Sequence, residues 1–211
     1  FSFFVDLHQG GGMPGILTIY GDSVSGNCLK IRYLADHLRL PYRWIETSVM
    51  ARATRTAAFL SLNPAGQVPL VLLPDGRQLA QSAAILLHLA EGTKLIPADA
   101  YERALMLQFL FWEQYSHETA IAVRRFVKHL AKQPESEIDP RLLTKGHAAL
   151  TLMEDHLAAH NFFPRQNFTL ADIALVAYTR LAPEGGFDLT PYPHINAWIS
   201  RVETILHIKE P

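Results

Sequence analysis

The sequence has little cysteine, little excess charge and no long apolar run. The single cysteine, Cys28, cannot form an internal disulfide, so we expect a protein of a reducing compartment, by default the cytoplasm. Nineteen Lys and Arg residues against twenty Asp and Glu residues leave a net charge of -1, which argues against nucleic acid as a partner. The apolar run at residues 83–87 is far too short to span a bilayer.

What the chain does have is enough apolar residues to fold. With 211 residues, 49% of them hydrophobic, it can bury a substantial core in one or two globular units. Residues 1–12 lack a positively charged start and end in three glycines before Met13, which does not fit a secretory signal. We therefore expect residues 1–12 to be a tag or an N-terminal extension.

Two kinds of pattern divide the rest of the chain. Short β-branched or apolar runs and helical spacing predict a β-α-β-α-β-β-α order up to residue 91, and only helices are predicted after residue 99. This organisation predicts a first domain at residues 13–91, a linker at 92–99 and an all-helical domain at 100–211. The predicted strands lie at residues 16–20, 42–45, 68–73 and 77–80, and the predicted helices lie around residues 31–38 and at 52–62, 82–91, 100–130, 142–157, 170–181 and 195–206.

One helix start in the second half has a specific local signal. Thr169 is followed three positions later by Asp172, and this spacing predicts a capping box that opens a buried helix. The role of Asp172 is therefore expected to be structural, not catalytic.

Three strings carry a family resemblance. They are Asn-Pro-Ala-Gly-Gln-Val-Pro at residues 63–69, Leu-Ala-Gln-Ser-Ala-Ala-Ile-Leu at 79–86 and Thr-Leu-Ala-Asp-Ile at 169–173. In this order, and with the change to helices between them, they closely resemble the cytosolic glutathione transferases. The resemblance implies an α/β thioredoxin-like N-terminal domain plus an all-α C-terminal domain. It also implies glutathione as co-substrate and a homodimer.

The resemblance implies a glutathione-binding set at residues 67–69 and 81–82. Ser82 reads as the N-cap of a helix, and a helix N-terminus attracts a carboxylate; in the family this is the γ-glutamyl carboxylate of glutathione, bound with Gln81. Val68 would pair through its main chain with the cysteine of glutathione before a cis Pro69, although an ordinary edge-strand proline remains an alternative. Gln67 would contact the backbone of the ligand or be solvated.

The loop before the first helix should activate the thiol. A hydrogen bond to a thiolate contributes roughly 1.5–3 kcal/mol and a helix N-terminus about 0.3–1 kcal/mol, which lowers a thiol pKa from near 8.5 by roughly one to three pH units. The family's hydroxyl position falls on Ser25, and Asn27 takes the cysteine position of the beta class, a pair most similar to the bacterial nu class. Ser23 remains an alternative because the loop is one residue longer, and capping of the helix by Ser25 or Asn27 is the purely structural alternative. Cys28 is either a buried apolar residue or, as a lesser alternative, a nucleophile.

A substrate pocket against the helical domain needs apolar and aromatic walls. Trp112 and Tyr115 share a helix face, and His117 and Arg124 lie near them in the chain; all four are candidates to line the pocket, with burial in the core as the alternative. No metal site is expected. The His117-Glu118 string lacks the second histidine of a zinc protease motif, and His156 and His160 lack a third ligand nearby.

The resemblance therefore implies a glutathione transferase. Its thiolate would attack a small hydrophobic electrophile or a glutathionyl disulfide, because nu-like proteins favour disulfide reduction. Two alternatives remain open at this point: a non-catalytic protein of the same fold acting as a stress or interaction scaffold, and a ligandin-like binder of apolar molecules.

Overall fold

The computed structural model describes residues 15–208, which form two compact units that divide between Ile96 and Pro97. The predicted extension at residues 1–12 lies outside the described residues. Within residues 15–208, no helix is both long and apolar enough to cross a membrane.

The first unit is an α/β domain around a four-stranded sheet in the order β2-β1-β3-β4. Strand β1 runs parallel to β2 and antiparallel to β3, and β3 is antiparallel to β4. The predicted element order and the thioredoxin-like fold are confirmed. The elements are β1 (Leu17–Gly21), α1 (Gly26–His37), β2 (Tyr42–Glu46), a 3-10 turn (Ala53–Arg55), α2 (Ala57–Leu62), β3 (Leu70–Leu72), β4 (Gln78–Ala80) and α3 (Ser82–Leu89).

Two details of this unit differ from the predictions. The helix predicted at residues 52–62 is divided, because the extended Thr56 uses its hydroxyl to accept the Phe59 N–H and so starts α2 anew. The strand predicted at residues 68–73 begins only at Leu70, because Pro69 has no N–H for the ladder. Since β3 lies between β1 and β4, the alternative of an edge-strand proline is wrong.

Side chains on both faces of β1 and β3, together with the buried positions of the helices, form the core of the first unit. Close packing at the end of β1 depends on a glycine, because a Cβ on Gly21 would lie 2.3 Å from the Trp44 ring. This contact keeps the end of β1 next to β2, immediately before the loop that leads into α1. The fully buried core residues of the unit include Ile19, Ile31, Leu34, Leu70, Val71, Ile85 and Leu86.

The second unit is helical. The region predicted as one helix at residues 100–130 is a continuous helical run in which two π-helical turns interrupt the α-helical geometry. The elements are α4 (Ala100–Trp112), a π turn (Glu113–His117), α5 (Glu118–Arg125), a second π turn (Phe126–Leu130), a 3-10 turn (Glu135–Glu137), α6 (Pro140–Ala159), α7 (Leu170–Thr179), a 3-10 turn (Ala182–Gly185) and α8 (Pro193–Leu206).

The predicted capping box at the start of α7 is confirmed. The Thr169 hydroxyl accepts the Ala171 N–H at 3.1 Å, and the Thr169 N–H donates to Asp172 Oδ2 at 2.8 Å. The other carboxylate oxygen of Asp172 accepts the Phe163 N–H at 2.9 Å and the Trp198 Nε1–H at 2.8 Å. The buried carboxylate thus joins the start of α7 to the preceding loop and to α8.

Candidate functional site

The N-terminal turn of α1 brings the predicted thiol-site residues together. Ser25 is the N-cap residue, with extended backbone angles, and its carbonyl accepts the N–H groups of Cys28 and Leu29. Its side chain does not cap a helix N–H but makes a hydrogen bond with the Cys28 thiol. The half-buried Ser25 hydroxyl therefore lies at the helix start, where the partial positive charge of the helix is greatest.

Asn27, in the first turn of α1, connects this loop to the start of α3. Its Oδ1 accepts a hydrogen bond from Lys30 Nζ at 2.7 Å and one from the Ser82 hydroxyl at 3.2 Å. Ser82 is 55 positions away in the sequence, so only the fold could bring the two predicted subsites into contact. Lys30 and Ser82 are both buried, with 1% and 4% of their surfaces exposed.

The structure separates the two serines that the sequence left as alternatives. The N–H and the hydroxyl of Ser23 donate to Glu46 Oε1 at 2.9 and 3.2 Å, and Trp44 Nε1 donates to Glu46 Oε2 at 2.8 Å. Partial burial acts to raise the pKa of Glu46, but these donors hold it below its usual value. Because the Ser23 hydroxyl has one hydrogen and donates it to Glu46, it has no second hydrogen for another acceptor.

Cys28 is a buried thiol, and the alternative of a nucleophilic cysteine is wrong. Its side chain has no solvent exposure, and burial raises its pKa to about 11, although hydrogen bonds from the Asp22 main chain and the Ser25 hydroxyl act in the opposite direction. A thiol with this pKa carries almost no thiolate at neutral pH, which is the form that reacts. Cys28 therefore packs as a small apolar residue in α1.

The loop before β3 presents main-chain groups. Asn63 holds it in shape, since its side chain donates to the Gln67 carbonyl at 2.8 Å and accepts the Ala65 N–H at 3.2 Å. The bond between Val68 and Pro69 is cis. Gln67 is exposed and Val68 half-buried, and among the described residues neither main-chain polar group of Val68 has a hydrogen-bond partner.

At the start of α3 the structure corrects one prediction. Gln81, not Ser82, is the N-cap residue, and Gln81 has a positive φ of 71°. Ser82 is the first helical residue, and its hydroxyl donates to Asn27 instead of accepting a helix N–H. The prediction placed the helix start one residue too late: Ser82 already has helical geometry, so the non-helical N-cap position falls on Gln81. Gln81 is exposed beside Ser82.

In the helical unit, two of the four predicted pocket residues lie in a groove of about 410 Å³ between the Trp112–Thr119 segment and α6. Tyr115 is 85% exposed, and Trp112 is partly buried. The α6 wall was missed, because the spacing of its residues predicts a helix face but does not say which helix it opposes. The groove residues are Trp112, Tyr115, Ser116, Thr119, Lys145, Ala148, Ala149 and Leu152.

His117 and Arg124 do not line this groove, so their assignment to the pocket is corrected. His117 is fully buried, with Nε2 3.0 Å from the Thr179 hydroxyl of α7. Arg124 is 3% exposed and forms an ion pair with Glu135. Both side chains are buried within the unit, and each has a polar partner there: Thr179 for His117 and Glu135 for Arg124.

Within residues 15–208, no group of three or more His, Cys, Asp or Glu side chains is arranged to hold a metal ion. His156 and His160 lie side by side, with ring centroids 4.6 Å apart, and His156 Nε2 is 3.1 Å from the Phe162 carbonyl. Burial lowers the pKa of His156, which keeps its ring neutral at physiological pH. These histidines belong to the packing around Phe163.

Comparison with known proteins agrees with this architecture. Residues 24–91 match the family model described as "Glutathione S-transferase, N-terminal domain", and residues 107–205 match the one described as "Glutathione S-transferase, C-terminal domain". The curated relatives include the disulfide-bond oxidoreductase YfcG of Escherichia coli, which is 26% identical over 182 residues, covering 83% of this chain and 85% of the relative.

Solved structures are also similar over almost the full length. A glutathione S-transferase from Pseudomonas fluorescens is 42% identical to this chain and superimposes with a TM-score of 0.85. The match includes 90% of this chain and 96% of the Pseudomonas chain. A glutathione S-transferase from Xanthobacter autotrophicus is 44% identical, covers 89% of this chain and 92% of its own, and has a TM-score of 0.84. By its two domains and their order, the chain belongs to the glutathione S-transferase family.

Proposed function

We propose that the protein binds reduced glutathione and activates its thiol as a thiolate nucleophile. The observation that carries this proposal is the hydrogen bond between Ser82 and Asn27 at 3.2 Å, which joins the start of α3 to the start of α1. Two helix N-termini then converge on one region. One suits the carboxylate of a peptide ligand and the other suits a developing thiolate.

The binding half of the site uses main-chain groups and one helix start. The N–H groups at the start of α3, with Ser82 and Gln81, would hold the γ-glutamyl end of glutathione. Val68 would pair through its main chain with the cysteine of the ligand, because its amide and carbonyl lack partners among the described residues. Gln67, exposed beside the cis Pro69, would contact the ligand backbone.

For the thiol we assign Ser25, with Asn27, over Ser23. The Ser23 hydroxyl already donates to the charged carboxylate of Glu46, whereas the Ser25 hydroxyl donates to the neutral Cys28 thiol, a weak acceptor that a charged thiolate can replace. The Ser25 hydrogen can then be given to the thiolate of glutathione. One hydroxyl donor and the helix start are sufficient to make bound glutathione largely thiolate at neutral pH, without a general base.

Two reactions are open to such a thiolate. It can attack an electrophilic carbon and release a leaving group with its electron pair, or attack the glutathione sulfur of a glutathionyl disulfide. The second reaction forms glutathione disulfide and releases the other half as a thiolate. We propose the groove with Trp112 and Tyr115 as the place where a small hydrophobic substrate contacts the helical unit. The name of the Escherichia coli relative favours including the disulfide reaction.

The remaining proposals concern organisation. Residues 13–91 would form the glutathione-binding domain, 92–99 the linker and 100–211 the substrate-binding domain. We expect a cytoplasmic homodimer that uses glutathione as co-substrate and requires no metal.

Calorimetric titration with reduced glutathione tests the proposal. The wild type should bind. Ser82→Ala should weaken binding by roughly tenfold, because one hydrogen bond to a charged group is lost. Ser25→Ala should keep most of the affinity but lose the ultraviolet absorbance of the bound thiolate. Ser23→Ala is the matched control and should keep the thiolate. If the wild type binds neither reduced nor oxidised glutathione, the proposal is wrong and a non-catalytic scaffold takes its place.

A further inference from the structure

One buried charged side chain near the thiol site has no part in the function proposed above. Lys30 lies in the second turn of α1 with 1% of its surface exposed. Burying an ammonium group is unfavourable unless polar groups surround it. One of the partners of this ammonium group is Asn27 Oδ1, 2.7 Å from Nζ.

Lys30 determines which way the Asn27 carboxamide is turned. An ammonium group only donates hydrogen bonds, so the Asn27 atom 2.7 Å from Nζ must be the oxygen. The Ser82 hydroxyl also donates to this oxygen. The opposite end of the carboxamide, Nδ2, carries two N–H bonds and is the end that can donate to a thiolate.

The two donors to Asn27 differ in whether a bound carboxylate can compete for their hydrogen. Ser82 has a single hydroxyl hydrogen, and if that hydrogen turns to the carboxylate of glutathione, it leaves Asn27. Lys30 then remains as the donor on Oδ1, and its charge makes that hydrogen bond the stronger of the two.

We propose, on the basis of the glutathione-activating function above, that Lys30 is a positioning residue. Its buried ammonium group holds the Asn27 carboxamide so that Nδ2 donates to the glutathione thiolate, and it preserves this orientation while Ser82 changes its partner to the ligand.

The charges around this turn explain why a fixed donor is needed. Asp22, after β1, accepts the Val24 and Val49 N–H groups, and Glu46 ends β2. Both carboxylates act to raise the pKa of the Cys28 thiol in the same helical turn, and they would act on a ligand thiol with the same sign. Other titratable groups also lie on α1 and α3. The Arg32 guanidinium lies over the Trp44 ring, and His88 of α3 is exposed.

The test measures the pKa of the bound glutathione thiol from its thiolate absorbance as a function of pH, in four proteins: wild type, Lys30→Met, Asn27→Ala and the double variant. Lys30→Met should raise the thiol pKa by about one pH unit, a tenfold loss of thiolate at lower pH. It should leave the affinity for S-methylglutathione, which has no thiol, within about twofold of wild type. The exposed Lys94→Met is the matched control and should change neither.

The double variant distinguishes positioning from a simple effect of charge. If Lys30 acts through Asn27, Lys30→Met adds nothing to the shift that Asn27→Ala already causes. An equal shift in both backgrounds would overturn the proposal, as would an unchanged thiol pKa in Lys30→Met. A wild type that fails to bind glutathione would instead overturn the proposed function itself.

A second variant keeps the test decisive if Lys30→Met does not fold. Lys30→Gln retains an N–H donor for Asn27 Oδ1 but carries no charge. Circular dichroism should show it folded, and the bound thiol pKa should stay closer to that of wild type than to that of Asn27→Ala. A folded Lys30→Gln protein whose thiol pKa rises as far as that of Asn27→Ala would contradict the positioning role.

Discussion

The buried carboxylate of Asp172 should be a major source of stability in the helical unit, and its removal can be given a magnitude. Asp172→Ala would leave three N–H donors without an acceptor: the main-chain N–H groups of Phe163 and Thr169 and the indole N–H of Trp198. Each unsatisfied buried donor costs about 1–3 kcal/mol. Relief of the desolvation of the carboxylate offsets part of this sum, so we expect a loss of about 3–5 kcal/mol in the free energy of unfolding.

Asp172→Asn is the matched variant. Its remaining oxygen can keep the Phe163 and Trp198 hydrogen bonds, while its amide nitrogen would face the Thr169 N–H, so that donor meets donor. One hydrogen bond of the three is lost, and we expect a loss of about 1–3 kcal/mol. Urea unfolding of the full chain, followed by circular dichroism, measures both. A loss below about 1 kcal/mol in Asp172→Ala, or a greater loss in Asp172→Asn than in Asp172→Ala, would refute the reasoning.

The difference in stability between the wild type and Asp172→Asn should also depend on pH. Burial raises the pKa of Asp172 to about 7, against the opposing effect of its hydrogen bonds, whereas an unfolded Asp titrates near 3.9. The folded state thus holds this proton more tightly, so the group's contribution to stability is complete below about pH 4 and is lost as the pH rises to about 7. The stability difference between wild type and Asp172→Asn should shrink over that range, and a constant or widening difference would contradict it.

Two further predictions concern packing in each unit. Gly146→Ala in α6 should lower the free energy of unfolding by about 1–2 kcal/mol, measured by urea unfolding. The new Cβ would lie 2.3 Å from the buried Phe187 ring, and this clash outweighs the better helix propensity of alanine. An equal or higher stability would show that the ring moves aside. Cys28 should resist a thiol reagent in the native protein and react only on unfolding, because it is buried with a pKa near 11; rapid labelling at neutral pH would contradict this.

Several features of the site could not be read from the sequence, and the particular residues show why. Ser23 and Ser25 have the same side chain and neighbouring positions, and they differ only because Glu46, 23 positions beyond Ser23, faces the first of them. His117 and Arg124 were expected near the substrate, but they face Thr179 and Glu135, which the helical periodicity of their own segment does not reveal. Ser82 was expected to cap α3 and instead donates to Asn27.

The order of strands and helices, the change from an α/β unit to a helical one, and the capping box at Thr169 could all be predicted from the sequence. These features depend on backbone hydrogen bonding and side-chain packing within a few residues, and such local interactions leave a periodic or spaced pattern in the chain. The three-dimensional fold was needed to show which hydroxyl donates to Glu46, that Lys30 and Ser82 meet at Asn27, and that Cys28 has no exposed surface. Each of these depends on groups from different elements competing for one hydrogen bond or one buried position, and no local pattern in the chain records the outcome.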